Sequence, residues 1–393
     1  MTGKRKSIAA LIAVFVVLAG GICFFFFKFG GHSAVTKKVD LNQPFASIIY
    51  SSSAVVGEGE SHTIFVNKEG KIYDIKGEGV ESNANALIET KDHLIMNEKT
   101  SVNTINKKTN AIHSNRSTCE IYSGYGQSAG FLDDKNIYYA IFNQGYKDDF
   151  ESYRSTIRWG MNSKNSCKDI EEYIITQGND GQKIFLMTTD LEQDGAENLY
   201  LMTLELNGEK LKQKKTLLSE ASIEIPFSNL LEYKNSLFFT YYHKQSDKSF
   251  IKLLEIHKQD AVIINDYILK EYLPSEDPTY YPFNMNSSTI VGNQLYFVDG
   301  FGNVYSFHLD SKEVNRQFSF LDYERDEYYY DEFIYLKNDD LYFFHYDRAL
   351  NTHMIDQYSL NGERVARVKV PDLKQVISQG LTEQFIYDFK VID

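Results

Sequence analysis

Most of the chain consists of short stretches in which hydrophobic and polar positions alternate, separated by polar turns. One pattern recurs: an apolar stretch, a turn containing Asn or Asp, and then Leu or Ile followed by aromatic residues. Alternation is typical of half-buried strands, and a short polar turn between two such runs indicates a hairpin. Clear copies begin at positions 87, 131, 231, 290 and 333, and weaker copies lie near 63 and 174.

Each copy is followed by a further alternating strand that ends in another polar turn. Asn-Gly after the strands 199–206 and 354–360 is a strong hairpin signal. We therefore interpret each unit as a four-stranded antiparallel meander. The second strands of the units are expected near residues 64, 94, 138, 184, 237, 295 and 341.

This period predicts an all-β fold, a single β-propeller of seven four-stranded blades over residues 45–393. A meander alone cannot bury both faces, whereas a closed ring of blades also removes exposed sheet edges. The segment 385–392 lies beyond the seventh unit and is expected to complete the first blade. Six or eight blades, or a large β-sandwich, are the alternatives.

A different pattern occupies the N-terminus. Residues 7–27 carry no charge, follow three basic residues at 4–6, and precede Lys28. A helix of this length is about 31 Å long, enough to cross a membrane. The alternatives are a cleaved signal peptide and a lipoprotein modified at Cys23, but the apolar core is long and Ile22 is bulky.

An uncleaved signal anchor is therefore predicted for 7–27, with residues 1–6 in the cytoplasm and the C-terminal domain extracytoplasmic. Residues 28–44 are expected to be a linker that spans at most about 60 Å. The protein would then be a single-pass protein of the cell membrane.

Composition narrows the class of partner. The chain has 41 basic and 54 acidic residues, a formal net charge of −13. This acidic surplus argues against nucleic acid and against docking on an anionic lipid face, and it leaves neutral ligands, sugars, cationic peptides and metal ions as partners. Cys119 and Cys167 could form a disulfide in an oxidising compartment, although their spacing alone does not establish it.

One acidic run is a candidate calcium site. Asp190, Glu192, Asp194 and Asn198 supply oxygen ligands at positions 1, 3, 5 and 9, with Gly195 at position 6. The run resembles the Asp-rich calcium loop of FG-GAP and VCBS propeller repeats, which implies calcium as a bound ion. It departs from that pattern at position 9, where an acid is usual. The alternative is a polar turn between two strands.

Three insertions carry aromatic residues that could stack on sugars or enclose a cation. They cover 322–332, 272–283 and 145–168. Loops at one end of a propeller commonly bind ligands, so these aromatic residues are candidate ligand contacts. The alternative is that the tyrosines pack between blades. The candidates are Tyr328, Tyr329, Tyr330, Tyr280, Tyr281 and Trp159.

No catalytic motif stands out: there is no Gly-x-Ser-x-Gly elbow, phosphate-binding loop or His-Glu-x-x-His sequence. The repeated Leu-Tyr-Phe strands resemble bacterial propellers of the YWTD-like and quinoprotein-like classes, which implies the fold but no activity. The predicted function is a membrane-tethered binding or scaffold module for an envelope protein or glycan. The alternative is a glycan-active hydrolase or lyase with acidic residues at the propeller mouth.

Overall fold

The computed structural model describes residues 36–38, 41, 43–52, 60–78, 87–121, 125–147, 153–161, 164–189, 198–220, 225–226, 228–273, 275–276, 286–323, 332–377 and 384–392. Within these residues the chain forms thirty strands and one short helix. The predicted membrane span at 7–27 lies outside the described residues. Among the helices of the described part, none is long and apolar enough to cross a membrane.

The strands form seven antiparallel sheets, the blades of a β-propeller, as predicted. The strands of each blade are given from the axis outward. Blade 1 consists of β30 (Gln384–Val391), β2 (Pro44–Ser52), β3 (Glu60–Asn67) and β4 (Ile72–Glu78). Blade 2 consists of β5 (Leu87–Glu89), β6 (His93–Asn97), β7 (Ser101–Asn106), β8 (Ala111–Arg116) and an added β1 (Thr36–Lys38). Blade 3 consists of β9 (Tyr125–Leu132), β10 (Ile137–Tyr146), β11 (Tyr153–Met161) and β12 (Lys164–Ile170).

The remaining four blades follow in chain order. Blade 4 consists of β13 (Tyr173–Asn179), β14 (Ile184–Thr189), β15 (Leu199–Asn207) and β16 (Lys210–Ser219). Blade 5 consists of β17 (Ile225–Pro226) and β18 (Leu231–Tyr233), which both pair with β19 (Ser236–Gln245), then β20 (Lys248–His257) and β21 (Val262–Tyr272). Blade 6 consists of β22 (Ser288–Val291), β23 (Gln294–Val298), β24 (Asn303–His308) and β25 (Val314–Ser319). Blade 7 consists of β26 (Phe333–Lys337), β27 (Asp340–Asp347), β28 (Thr352–Ser359) and β29 (Arg364–Val370), and helix α1 (Leu373–Ile377) follows it.

The ring closes in blade 1, where the last strand of the chain pairs with the first strand of the propeller. Phe389 in β30 lies opposite Ile48 in β2, and β30 also contacts β26 of blade 7. The prediction that 385–392 completes the first blade is confirmed. The prediction that the second strand of the first blade lies near residue 64 was wrong. Ile64 lies in β3, the third strand of its blade. The reason is that β30 takes the innermost position, so that β2 and β3 lie one place further out.

The propeller has two distinct ends because the strands of every blade alternate in direction. At one end, the turn end, short turns join the third strand to the fourth in every blade and the first strand to the second in blades 2 to 7. Asn side chains shape several of them; the Oδ1 of Asn67 accepts hydrogen bonds from the backbone N–H groups of Glu69 and Lys71 at 3.1 and 2.9 Å. The other connections lie at the opposite end, the loop end.

The hydrophobic core lies between blades. One cluster combines Ile137, Tyr139 and Ile157 of blade 3 with Ile184 and Leu204 of blade 4, all at most 6% exposed. Alternating side chains cover both faces of each meander, so every blade contributes to two such layers. Burial of these layers is what holds the blades in a ring.

Part of the segment predicted as a linker is a strand. β1 pairs antiparallel with β8 as a fifth strand at the outer edge of blade 2, with Thr36 opposite His113 and Lys38 opposite Ala111. Leu41 is then buried against the core between blades 1 and 2. The region 28–44 is therefore attached to the propeller over its second half.

Blades 2 and 3 are joined by covalent and polar contacts as well. Cys119, after β8, forms a disulfide with Cys167 in β12, which answers the question that their spacing left open. Arg158 of β11 is completely buried, and its guanidinium donates hydrogen bonds to the backbone carbonyls of Glu98 at 2.7 Å, Lys99 at 3.1 Å and Cys119 at 3.2 Å. This arginine fixes the turn between β6 and β7 against blade 3.

Candidate functional site

Three clefts of the described residues lie at the turn end of blades 2 to 5. A cleft of about 290 Å³ lies between blades 2 and 3, one of about 440 Å³ between blades 3 and 4, and one of about 630 Å³ between blades 4 and 5. The first two share Met161, and the last two share Glu205 and Lys212. Together they form one continuous surface across four blades.

The cleft between blades 2 and 3, the aromatic cleft, is lined without Asp, Glu, Lys or Arg. Its walls are strand residues that the alternation points toward the neighbouring blade. Phe131 and Tyr138 supply aromatic surface, and burial raises the pKa of the Tyr138 hydroxyl to about 12, so it stays protonated at neutral pH. Histidine, amide and hydroxyl groups supply the polar part of the lining. These polar residues are Thr90, His93, Thr104, His113, Asn115 and Asn136.

The other two clefts, the lysine clefts, carry a local excess of positive charge in an acidic protein. Lys212 and Lys214 project from β16, the outermost strand of blade 4, where alternate residues share a face. Both are exposed. Lys212 lies opposite Glu205 in the neighbouring strand, and its charge helps to lower the pKa of that carboxyl. Lys135 also lines this surface, and its ammonium donates to the Leu206 carbonyl at 2.9 Å.

Two ion pairs at the rim of the lysine clefts fix their shape. The Lys183 ammonium lies 2.7 Å from the Glu205 carboxylate, and this hydrogen bond lowers the pKa of Glu205. Lys258 of blade 5 pairs with Asp180 of blade 4 at 3.1 Å. Burial opposes ionisation of Asp180, yet hydrogen bonds from the Lys183 backbone and the Lys258 ammonium hold the pKa of its carboxyl below the ordinary value. Both carboxylates are therefore ionised at neutral pH.

Polar contacts also join innermost strands and loops of blades that are not adjacent in the ring. The Asn286 amide donates to Asp388 of β30 at 3.4 Å, and the Lys390 ammonium lies 3.5 Å from the same carboxylate. Lys337 of blade 7 donates to Glu89 of blade 2 at 2.7 Å. Each carboxylate thus faces an ammonium group, so these contacts stabilise the centre of the ring.

The predicted calcium loop lies mostly outside the described residues. This holds for Asp190, Glu192 and Asp194, whereas Asn198 immediately precedes β15. β14 ends at Thr189 and β15 begins at Leu199, which places both strand ends at the loop end. In the described part of the chain, no group of three or more His, Cys, Asp or Glu side chains is placed to hold a metal ion.

The predicted aromatic contacts have two outcomes. Tyr280, Tyr281, Tyr328, Tyr329 and Tyr330 lie outside the described residues, so their role stays a prediction. The expectation that Trp159 lies in a ligand-facing loop was wrong. It belongs to β11, is 2% exposed, and its indole N–H donates to the Gly208 carbonyl at 2.9 Å. Its strand, β11, pairs with β10 on one side and with β12 on the other. The indole therefore lies on a face of the sheet, where it packs in the core between blades 3 and 4.

The sequence pattern missed the turn-end surface. Its one local signal was the run of lysines at 210, 212, 214 and 215 in a predicted strand. Exposed lysines on an outermost strand also protect a sheet edge against pairing with other chains, so the run alone does not indicate a site. The clefts become visible only when the fold brings neighbouring blades together.

Comparison with known proteins places the chain in a family. The sequence model described as "YycP, beta-propeller domain" matches residues 40–392. The chain belongs to this family. It is 24% identical over 398 residues to the uncharacterized protein YycP of Bacillus subtilis (strain 168), an alignment that covers 97% of this chain and 98% of the relative. The sequence likeness therefore spans the propeller and the N-terminal region.

Solved structures resemble this member of the YycP family at the level of the fold alone. One is a quinoprotein alcohol dehydrogenase-like protein from Bacteroides thetaiotaomicron, with a TM-score of 0.46, 10% identity, and coverage of 91% of this chain and 94% of that chain. Another is BamB from Moraxella catarrhalis, with a TM-score of 0.39, 7% identity, and coverage of 86% and 91%. The resemblance to YWTD-like propellers stays a prediction.

Proposed function

We propose that this protein is a membrane-tethered, extracytoplasmic binding module that holds an envelope glycan bearing acidic groups. The observation that carries the proposal is the continuous turn-end surface, in which the aromatic cleft adjoins the lysine clefts. Aromatic faces stack on sugar rings, amides and hydroxyls bond to sugar hydroxyls, and ammonium groups pair with carboxylates or phosphates. A surface with both parts suits a polymer that carries both kinds of group.

Two further features support the location. The uncharged segment 7–27 with its basic flank is typical of a signal anchor. The disulfide between Cys119 and Cys167 suits an oxidising compartment outside the cytoplasm. Both features agree with a propeller that works at the outer side of the membrane.

The test compares glycan binding by the full chain in detergent with binding by two double variants. K212A/K214A removes two positive charges from the lysine clefts. K68A/K71A removes two exposed lysines at the turn end of blade 1 and serves as the matched control. Isothermal titration would use an acidic polysaccharide and its carboxyl-reduced, neutral form.

We expect the affinity for the acidic form to fall about fivefold to tenfold in K212A/K214A and to stay unchanged in K68A/K71A, since an exposed ion pair contributes up to about 1 kcal/mol. Added salt should weaken the wild-type complex. Equal affinities for the acidic and the reduced polysaccharide, or equal losses in both variants, would overturn the assignment of acidic groups to the lysine clefts, and no binding of either polysaccharide would overturn the glycan assignment. Release of shorter chains from the polysaccharide would instead support the hydrolase or lyase alternative.

A further inference from the structure

The course of the chain into the propeller constrains how the molecule sits on a membrane. β1 runs antiparallel to β8, and Lys38 lies opposite Ala111 at the turn end. The chain therefore reaches blade 2 from the loop-end side, follows its outer edge, and enters blade 1 at Pro44. The point of entry is the rim of one blade.

The distance available to the preceding segment is short. Nine positions separate Phe27, the last residue of the uncharged segment, from Thr36 in β1. A fully extended chain of nine residues spans about 30 Å. A folded unit of this size is about 50 Å across, from the dependence of the radius of gyration on chain length. The rim of blade 2 must therefore lie closer to the anchored segment than the rims of blades 5 and 6.

Blade 2 differs in charge from the chain as a whole. Residues 36–38 and 87–121 together contain seven Lys or Arg and four Asp or Glu, although the whole chain has an acidic surplus. Lys99, Lys107 and Lys108 form ion pairs with acidic residues of the same blade. The outermost strands β8 and β1 contribute the exposed Arg116 together with Lys37 and Lys38, and neither strand contains Asp or Glu. A basic rim is attracted to anionic headgroups, and the effect is strongest within about 10 Å of the surface.

We propose that the outer edge of blade 2, covered by β1, faces the membrane and contacts anionic lipid headgroups. The propeller then lies side-on, and both its turn end and its loop end stay open to the envelope. This orientation rests on the membrane tether of the proposed function. The new element is the part of the propeller that contacts the lipid, namely the outer edge of blade 2.

A first experiment tests β1 in the full chain, with Cys23 replaced by Ser in every variant. Thr36 and His113 are directly opposed, so T36C/H113C should form a disulfide under mild oxidation. K38C/H113C, which is offset by two residues, is the control. Equal crosslinking in both variants, or none in the first, would show that β1 does not hold this register.

A second experiment measures orientation on vesicles that mix phosphatidylcholine with anionic phosphatidylglycerol, a surface that attracts basic segments. A donor dye is placed on blade 2 in T109C or on the opposite rim in I264C, both at exposed positions, and a lipid carries the acceptor. We expect clearly stronger energy transfer from T109C, and a smaller difference between the two sites when the anionic lipid is omitted.

The tether and the orientation can fail separately. If the protein does not float with the vesicles, the tether and the proposed location are wrong. If it floats but the two dyes give equal transfer, the tether stands and the side-on orientation is wrong.

Discussion

The disulfide between Cys119 and Cys167 should supply a large share of the stability of the propeller. It closes a loop with a sequence separation of 48 residues, and its Cα atoms lie 6.1 Å apart. In the chain-entropy treatment, crosslinking a loop of this length destabilises the unfolded state by about 4 kcal/mol. We therefore expect C119S/C167S to unfold more readily by about that free energy.

The effect can be expressed as a melting temperature. With an unfolding entropy of about 2.1 cal/mol/K per residue over the roughly 350 residues of the propeller, 4 kcal/mol corresponds to about 5 °C. Thermal unfolding of the full chain, followed by circular dichroism in detergent, measures this shift. Dithiothreitol should lower the melting temperature of the wild-type protein by the same amount and leave C119S/C167S unchanged.

Cys23 provides the control, because it lies in the N-terminal apolar segment and takes no part in the disulfide. C23S should melt like the wild-type protein with and without reductant. A shift below about 1 °C in C119S/C167S would refute the reasoning, because it would mean that blades 2 and 3 separate before the unfolding step that the measurement follows. A shift in C23S of similar size would also refute it, because Cys23 takes no part in the disulfide.

Three further predictions concern buried groups. Replacing Arg158 by Met should cost about 3–5 kcal/mol of unfolding free energy, because several backbone carbonyls lose their donor inside the protein. Replacing Phe389 by Ala should cost about 3–5 kcal/mol of unfolding free energy, since the side chain is fully buried in the blade that closes the propeller. Phe385 lies on the same strand but is 42% exposed, so Phe385→Ala should cost under about 1 kcal/mol. Asp356→Asn should destabilise the protein strongly at pH 7, where the carboxylate accepts two hydrogen bonds from Arg367 at 2.6 and 2.9 Å, and much less at pH 3.

The sign of the pH effect follows from the pKa of Asp356. Burial opposes its ionisation, but hydrogen bonds from His345 and Arg367 hold the pKa of the folded-state carboxyl below its ordinary value. The stabilisation is therefore present above about pH 4, the unfolded-state pKa, and is lost as the pH falls toward the lower folded-state value. Urea unfolding of wild type and D356N from pH 3 to pH 8 measures it.

Each of these predictions has an outcome that contradicts it. Full stability of R158M would mean that water replaces the guanidinium at the carbonyls. Equal losses in F389A and F385A would show that burial does not determine the cost along β30. A stability difference between wild type and D356N that grows on acidification would reverse the assigned direction of the pKa shift.

The sequence pattern was sufficient for the architecture because four strands repeat with a turn signal at each end. Positions 94, 138, 184, 237, 295 and 341 all fall in, or next to, second strands. It misplaced the second strand of blade 1, because the innermost strand of that blade comes from the other end of the chain. The local repeat pattern cannot show that a blade takes a strand from the other end of the chain. The segment 385–392, which is left over after the seventh unit, did indicate it.

The surface chemistry was less accessible to sequence. Trp159 looked like an exposed aromatic in an insertion, yet the pairing of β11 on both sides places it in the core. Lys183, Lys214 and Lys258 line one cleft although up to 75 positions separate them. Only the stacking of blades brings such residues together, and no short-range pattern reports it.

The pairing of β2 with β30 sets the order in which the protein can mature. Ile48 and Phe389 are opposed in the same sheet although 341 positions separate them. During synthesis, one edge of blade 1 stays uncovered until the final strand has been made. Closing so long a loop is also entropically slow. A chain that loses its last ten residues would therefore present an open strand edge to chaperones and proteases throughout its life.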